Sequence, residues 1–297
     1  MTTTWLITGA TGMLGQDVLA LLRRDGEKAV GLGRGALDIT DADTVHDAIG
    51  AHRPRIVVNC AAWTAVDDAE AHEGDALRVN GDGPRHLAEA CAKTGAGLIQ
   101  VSTDYVFAGD GTGPYPEDAP TAPRSAYGRT KLAGEQAVLA ALPGTGYVVR
   151  TAWLYGVGGG NFVDTMIRLE SVRDTVDVVE DQRGQPTWTV DLADRLVRLG
   201  RAGLAGSAPG GVYHGTSGGE TTWFGLAREV FRLLGADPGR VRPTTSTAFP
   251  RPAPRPAYSV LGHERWRRTG IEPIRPWREA LQAAFPALLD EKKGSYR

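Results

Sequence analysis

Tyr127 and Lys131 stand four residues apart in the run YGRTK. On a helix, that spacing sends both side chains out of one face. An ammonium beside a phenol favours the phenolate and lowers the tyrosine pKa toward neutrality, so the phenol can give or take a proton near pH 7. Thr103 ends the apolar run before STDY, where its hydroxyl can hydrogen-bond a carbonyl oxygen. Lys131 is one of only five lysines, so a cation placed just there stands out from a chain whose positive charge is mostly arginine. Together the three side chains could hold and protonate an oxygen on which negative charge develops.

Such chemistry needs a hydride donor, and the start of the chain reads as its holder. Gly9, Gly12 and Gly15 are spaced G-x-x-G-x-x-G in TGATGMLG, from Thr8 to Gly15, after a β-like run and before an amphipathic helix. The first glycine permits the tight turn, the second lets a pyrophosphate approach the backbone, and the third allows close helix–strand packing. A dinucleotide is the expected ligand, along Gly9, Thr11, Gly12, Met13, Leu14 and Gly15. The second strand ends at Leu32-Gly33-Arg34 with no acidic residue for a ribose 2′-hydroxyl. Arg34 could instead pair with a 2′-phosphate, which favours NADPH, with NADH as the alternative. Asp38 and Ile39 follow and could flank the adenine. Asn59 to Thr64 leaves the third strand with small residues, Ala61 and Ala62 among them, where a cofactor can lie close to the backbone. Asp67, Asp68 and Glu70 read mainly as a solvated helix start.

These side chains need a scaffold, and the first half supplies one by alternating strand and helix. Strands are expected at Thr4–Ile7, Ala29–Leu32, Ile56–Cys60, Leu98–Ser102 and Tyr147–Thr151. Helices are expected after the glycine turn, at Asp41–Ala51, Gly83–Thr94 and Ala126–Leu142. Repeated β-α units of this length predict an α/β fold, a doubly wound parallel Rossmann-type sheet with right-handed crossovers. Beyond about residue 151 the alternation weakens. Helices are expected at Asn161–Ser171, Thr189–Leu204, Thr222–Leu234 and Trp277–Leu289, with strands at Val176–Val179 and Val212–His214. The expected division is residues 1–150 for the dinucleotide-binding domain and 151–297 for a smaller C-terminal α/β substrate region, of which about 185–205 packs back on the first. Prolines 250, 252, 254 and 256 predict an extended, stiff segment, and Lys292–Arg297 reads as a frayed tail.

Bulk properties narrow the function classes. A net charge of −2 gives no electrostatic case for nucleic acid or an anionic membrane. No apolar run approaches the ~20 residues that span a bilayer. The N-terminal MTTTWLITGATG lacks a basic segment and does not read as a signal peptide, so a cytoplasmic protein is expected. Cys60 and Cys91 fit a reducing compartment and read as small buried hydrophobes. The six histidines form no ligand-spaced cluster, so no catalytic metal is expected. Oligomeric state is not fixed by the sequence; a homodimer is the assembly kept open.

The residues Thr103, Tyr127 and Lys131 resemble the extended type of the short-chain dehydrogenase/reductase superfamily. Within it, the segments NCAAWTAVDDAE, STDYVFAGDGTGPYPEDAP, YGRTKLAGE, RTAWLYG, NFVDTM, DQRGQPT, GVYHGTSGGETTW and RPAYSVL, in this order, resemble the dTDP-4-dehydrorhamnose reductase family from residue 5 to about 285. The resemblance implies NADPH-dependent reduction of the C4 ketone of a dTDP-6-deoxy-L-hexulose to dTDP-L-rhamnose. Related 4-ketoreductases for dihydrostreptose or antibiotic sugars are the alternative. It also implies a cofactor along Gly12-Met13-Leu14, Asp38-Ile39 and Ala61-Ala62-Thr64, with Lys131 gripping ribose hydroxyls. Thr103, Asp104 and Trp153 would lie on the sugar, Val66-Asp67 at the pocket edge, and Arg255 at the diphosphate. Tyr258 stands where many members have asparagine. A 4,6-dehydratase of the same superfamily carries Asp-Glu after the threonine; here the pair is Asp104-Tyr105. A non-catalytic regulatory subunit is a further reading, and the intact trio argues against it.

Overall fold

The structure is a computed structural model that describes residues 5–294. Its centre is a six-stranded sheet. The strands are β1 (Trp5–Thr8), β2 (Ala29–Leu32), β3 (Ile56–Asn59), β4 (Gly97–Thr103), β5 (Gly146–Thr151) and β6 (Gly211–His214). They lie in the order β6-β5-β4-β3-β1-β2, and every pair is parallel. The helices are α1 (Met13–Arg24), α2 (Ala42–His52), α3 (Glu73–Leu77), α4 (Gly83–Thr94), α5 (Ala126–Ala141), α6 (Phe162–Val172), α7 (Thr189–Leu204), α8 (Trp223–Leu233), α9 (Glu264–Arg268) and α10 (Trp277–Gly294).

Residue alternation explains why helices cover both faces. Side chains along a strand point alternately to opposite sides. Trp5, Ile7, Ile56, Val58, Ile99, Tyr147 and Val149 share one core with Leu14, Val18 and Leu22 of α1 and Leu192, Leu196 and Val197 of α7. Leu6, Val57, Leu98 and Val148 turn the other way, to Val45 and Ile49 of α2, Leu87 and Cys91 of α4, and Val138 of α5. A continuous apolar strand is what a sheet covered on both sides requires. A third core joins Val163 and Met166 of α6, Leu226 and Phe231 of α8, Trp277 and Leu281 of α10, and the paired strands Val176–Val179 and Val241–Thr244.

The chain steps from β1 outward to β2, then returns to lay β3 on the other side of β1. That reversal opens a crevice at the carboxyl ends of β1 and β3, where ligands bind in open α/β sheets. Local caps fix the helices around it. Ser125 Oγ accepts from the Gly128 amide at 3.1 Å and starts α5 just before Tyr127. Asp41 caps α2 and so precedes it.

The expected Rossmann-type parallel sheet is present, and most expected elements fall within a residue or two of their bounds. Thr4, expected in the first strand, lies outside the described residues. Lys292–Gly294, expected to fray, continue α10, while residues 295–297 lie outside the description. Helix α3 and the π-helical turn Arg78–Asp82 that joins it to α4 were not expected. Their run EGDALRVNGDGP carries three glycines and reads as punctuation. No helix among the described residues is long and apolar enough to cross a membrane.

The π-helical turn is seated tightly on α5. A Cβ at Gly134 would collide with the Asn80 carbonyl oxygen and stand 3.1 Å from Pro84 Cγ. Replacing Gly134 by valine is expected to cost about 1–3 kcal/mol of stability through overpacking. The urea unfolding midpoint reads this, and an unchanged midpoint would show that the helices have slack.

Candidate active site

Three turns at the carboxyl edge of the sheet converge on one cavity. Its volume is about 520 Å³, and its lining includes Gly12, Met13, Thr103, Asp104, Tyr127 and Lys131. Gly9, Leu14, Gly15, Ala62, Thr64, Val66 and Trp153 also reach it. A neighbouring cavity of about 270 Å³ is lined by Thr11, Arg34, Asp38, Ile39 and Ala61, and it shares Gly9, Gly12 and Ala62 with the first.

The glycine turn fits a dinucleotide on structural grounds. Gly9 has φ +61°, and a Cβ there would lie 2.5 Å from the Ala61 amide nitrogen. A Cβ at Gly15 would strike the Gly9 carbonyl oxygen. At Gly12 the nearest neighbour is 3.4 Å away, so the middle glycine faces room. Gly12 is also the cap of α1 and has no side chain to offer the first turn, which contains no acidic residue. A helix N-terminus left this way receives an anion. The Asp38 carboxylate is engaged by Thr40, from its amide at 3.0 Å and its hydroxyl at 2.8 Å. Arg34 is exposed beside it.

Thr103 comes from the last position of β4, and Tyr127 and Lys131 from the first turns of α5. The approach of the two elements is close: a Cβ at Gly128 would collide with the Tyr105 carbonyl oxygen. Thr103 Oγ1 donates to Asp104 Oδ1 at 3.0 Å and accepts from the Tyr105 amide at 3.2 Å, and it lies beside the Tyr127 hydroxyl. The Tyr127 ring meets Tyr105 edge to face at 5.6 Å. Lys131 is buried, and its Nζ donates to the Val101 carbonyl at 2.6 Å.

The electrostatics correct one sequence expectation. Tyr127 was expected to have a pKa lowered by Lys131. Burial instead pushes it up to about 12, with the Thr103 hydroxyl opposing and the Asp104 charge adding to the rise. Burial lowers Lys131 to about 8, against the pull of Glu135 and Cys60. Tyr127 is therefore a neutral phenol, the form that donates a proton. Asp104 is buried too, and burial raises its carboxyl to about 6, with the nearby Ser259 and Thr103 hydroxyls opposing the rise. Cys60 lines both cavities, and burial raises its thiol to about 12, so it is no nucleophile.

Other expected residues sit differently. Trp153 has φ +49°, an uncommon conformation for a bulky side chain. Its ring stacks on Trp223 of α8 at 3.5 Å between centroids and 9° between planes. Asp67 and Arg255 lie outside the 520 Å³ cavity and pair with each other, Arg255 Nη2 to Asp67 Oδ2 at 2.8 Å. Asp67 also accepts from the Ala253 amide at 3.2 Å, which pins the proline segment to the loop after β3. Arg255 lines a separate cavity of about 140 Å³ with Tyr105, Arg124 and Pro256. Trp223 and Ser259 were missed. Nothing in the sequence ties residues so distant to Trp153 or Asp104; GETTW and RPAYSVL marked only their segments.

Residues 3–289 match the family model described as RmlD substrate binding domain. A Streptomyces griseus protein named dTDP-4-dehydrorhamnose reductase is 64% identical over 96% of this chain and 93% of its own length. A Streptomyces niveus protein named dTDP-4-keto-6-deoxy-D-glucose reductase is 57% identical over 97% of this chain and 98% of its own. Among solved structures, a dTDP-4-dehydrorhamnose reductase from Clostridium acetobutylicum superposes with a TM-score of 0.92 at 41% identity, covering 97% of this chain and 100% of that one. The Bacillus anthracis enzyme of that name, solved in complex with NADP, gives 0.91 at 37% identity over 97% and 100%.

Asp104 makes stability depend on pH. Its folded pKa of about 6 lies above the ordinary 3.8, so the fold favours the protonated form. That stabilisation is complete below about pH 4 and is lost as pH rises through about 6. The unfolding free energy of wild type minus that of Asp104→Asn should fall by about 3 kcal/mol from well below pH 4 to well above pH 6. Urea titrations at stepped pH read the difference, and a flat difference would refute the burial argument.

Proposed function

The chain belongs to the RmlD substrate binding domain family and is an NAD(P)H-dependent oxidoreductase of the dTDP-4-dehydrorhamnose reductase type. From that premise we propose that it uses NADPH to reduce the C4 ketone of dTDP-4-dehydro-6-deoxy-L-mannose, giving dTDP-L-rhamnose. One observation carries the reading: a hydrogen-bonded threonine and a neutral phenol share a single cavity with an uncapped glycine turn. We assign residues 1–150 chiefly to the dinucleotide and most of 151–297 to the sugar nucleotide, with α7 and β6 returning to the first unit.

The dinucleotide would be held by Gly9 to Gly15 at its pyrophosphate, by Asp38, Ile39, Ala61, Ala62 and Thr64 along its length, and by Lys131 at a ribose. Arg34 would take a 2′-phosphate, since the nearest carboxylate is occupied by Thr40. When bound, NADPH supplies the hydride that reaches the sugar carbon. The work of this chain is at the oxygen. Tyr127 gives its phenolic proton to that oxygen, Thr103 holds the oxygen by hydrogen bond, and solvent later reprotonates the tyrosine. The ammonium of Lys131 lowers the cost of the transient phenolate. Trp153, with Val66 at the rim, offers the sugar a flat apolar wall. Asp104 accepts a hydroxyl once ionised. The Asp67–Arg255 pair stands at the edge where a diphosphate would compete with the carboxylate for the guanidinium.

A second reading, 4-keto reduction of another dTDP-deoxyhexose, is favoured by the Streptomyces niveus relative. NMR of the product made from each dTDP-4-keto-sugar separates the two. Dominant turnover of a D-gluco-configured ketone would move the assignment to the second. Tyr127→Phe is expected to lower kcat by about 10²–10⁴-fold while NADPH still binds. Retention of turnover would remove the phenol from the reaction. Arg34→Ser should weaken NADPH binding and leave NADH binding unchanged, as read by nucleotide fluorescence. Equal loss for both would show that Arg34 does not reach a 2′-phosphate.

A further inference from the structure

Behind Lys131, side chains from three elements close on one carboxylate. Glu135 lies one helical turn after Lys131 on α5 and is 1% exposed. It accepts from Arg150 of β5 through Nη2 at 2.7 Å and through Nε at 3.0 Å and 3.2 Å. It also accepts from Ser102 Oγ of β4. Ser102 immediately precedes Thr103, and Arg150 immediately precedes Thr151 in the cavity wall. Arg150 is held in turn by its stacking over Phe107 at 4.9 Å.

We propose that Glu135 is a positioning residue for the reduction: its carboxylate locks the ends of β4 and β5 to α5 and supplies the counter-charge that keeps Lys131 an ammonium in a dry core. The proposal rests on the reading of Lys131 as the cation that grips the ribose and assists Tyr127.

Both halves follow from the geometry. One carboxylate receives donors from both strands, so a small rotation of α5 that moved Tyr127 away from Thr103 would break the Arg150 and Ser102 bonds together. An ammonium 3% exposed with a carbonyl acceptor at Val101 needs compensation from its surroundings. The groups that face it are few. Glu135 of its own helix and Cys60 after β3 act on its charge, and Tyr127 and Asp104 line the same cavity. Arg150 of β5 is a second cation, and Glu135 neutralises it at the same time. Burial sets Lys131 to about 8, and Glu135 is the larger of the two groups pulling it upward. Without that carboxylate the larger upward pull on Lys131 is lost, and the ammonium deprotonates at lower pH. Stability alone is a weak account of the pair, because buried ion pairs are often replaced by apolar residues without loss.

The test separates charge from packing with Glu135→Gln and the double variant Glu135→Leu/Arg150→Met. Melting temperature reads packing, and the pH dependence of NADPH affinity, by nucleotide fluorescence, reads the ammonium without any sugar. Wild type should lose affinity as pH rises through about 8, and Lys131→Met should lack that limb. Glu135→Gln should melt lower and move the limb down by about one pH unit, about a fivefold loss of affinity at the old midpoint and about tenfold well above it. The double variant should recover most of the melting temperature and keep a limb below that of wild type. Recovery of both together would reduce Glu135 to packing and overturn the proposal. So would a folded Glu135→Gln protein with the wild-type limb, or a Lys131→Met protein that keeps it. A wild type with the expected limb that reduces no dTDP-4-keto-sugar would sink the proposed function and leave this inference standing.

Discussion

The backbone of Gly9 touches the backbone of Ala61 with no room for a side chain between them. That contact joins the turn after β1 to the turn after β3, the two strands between which the sheet reverses direction. The parallel register sets its position: Thr8 lies level with Asn59, which is level with Gln100 of β4. Their side chains extend the register as a hydrogen-bonded row, Thr8 to Asn59 and Asn59 to Gln100. Asn59 also accepts from the Ala61 amide at 3.1 Å, which fixes the second turn. The crevice is thus rigid at its floor, and the catalytic groups proposed here hang from its rim at fixed height.

Burial then decides the charge states. Proximity arguments made from sequence treat Tyr127 and Lys131 as a pair in water. In a dry cavity each group is penalised for being charged, so the phenol rises and the ammonium falls. The two shifts suit a reductase. A donor phenol must be protonated before the hydride moves, and it needs a cation only while its proton is away. The side chains that hold Lys131 and Tyr127 in place therefore matter as much as the pKa of either.

What the sequence disclosed was whatever depends on local pattern. Alternating apolar strands, the glycine triplet and YGRTK each speak through their neighbours in the chain, and they located the sheet, the turn and the face of α5. The π-helical turn at Arg78–Asp82 was hidden because Gly81 and Gly83 look like loop residues. They are small because Leu77 of α3 closes on Gly81 and Ile39 on Gly83. Trp223 and Ser259 were hidden for a different reason. They meet Trp153 and Asp104 across long stretches of chain, and no period or spacing encodes such contacts. The pairing of Arg255 with Asp67 was hidden because the two lie 188 residues apart.

The arrangement of cores separates the wall proposed for the sugar from the proposed proton donor. The ring of Tyr127, the proposed proton donor, packs on a small cluster of Ala69, Ala76 and Ala126, and its helix enters a core flanking the sheet through Val138, whereas Trp153 leans on Trp223 and the third core. The left-handed backbone at Trp153 is strained for a non-glycine residue and persists only if its surroundings enforce it. Its surroundings here include the ring stack from α8, which belongs to the third core, and the Thr187 amide, which donates to its carbonyl at 3.2 Å. Substitution on α8 can therefore tilt the wall proposed to meet the sugar while Thr103, Tyr127 and Lys131 stay in register. Relatives 64% and 57% identical, each matched over nearly the whole chain, carry the names of two different 4-keto-sugar reductases. That is the divergence expected when the choice of sugar and the delivery of the proton are built on separate cores.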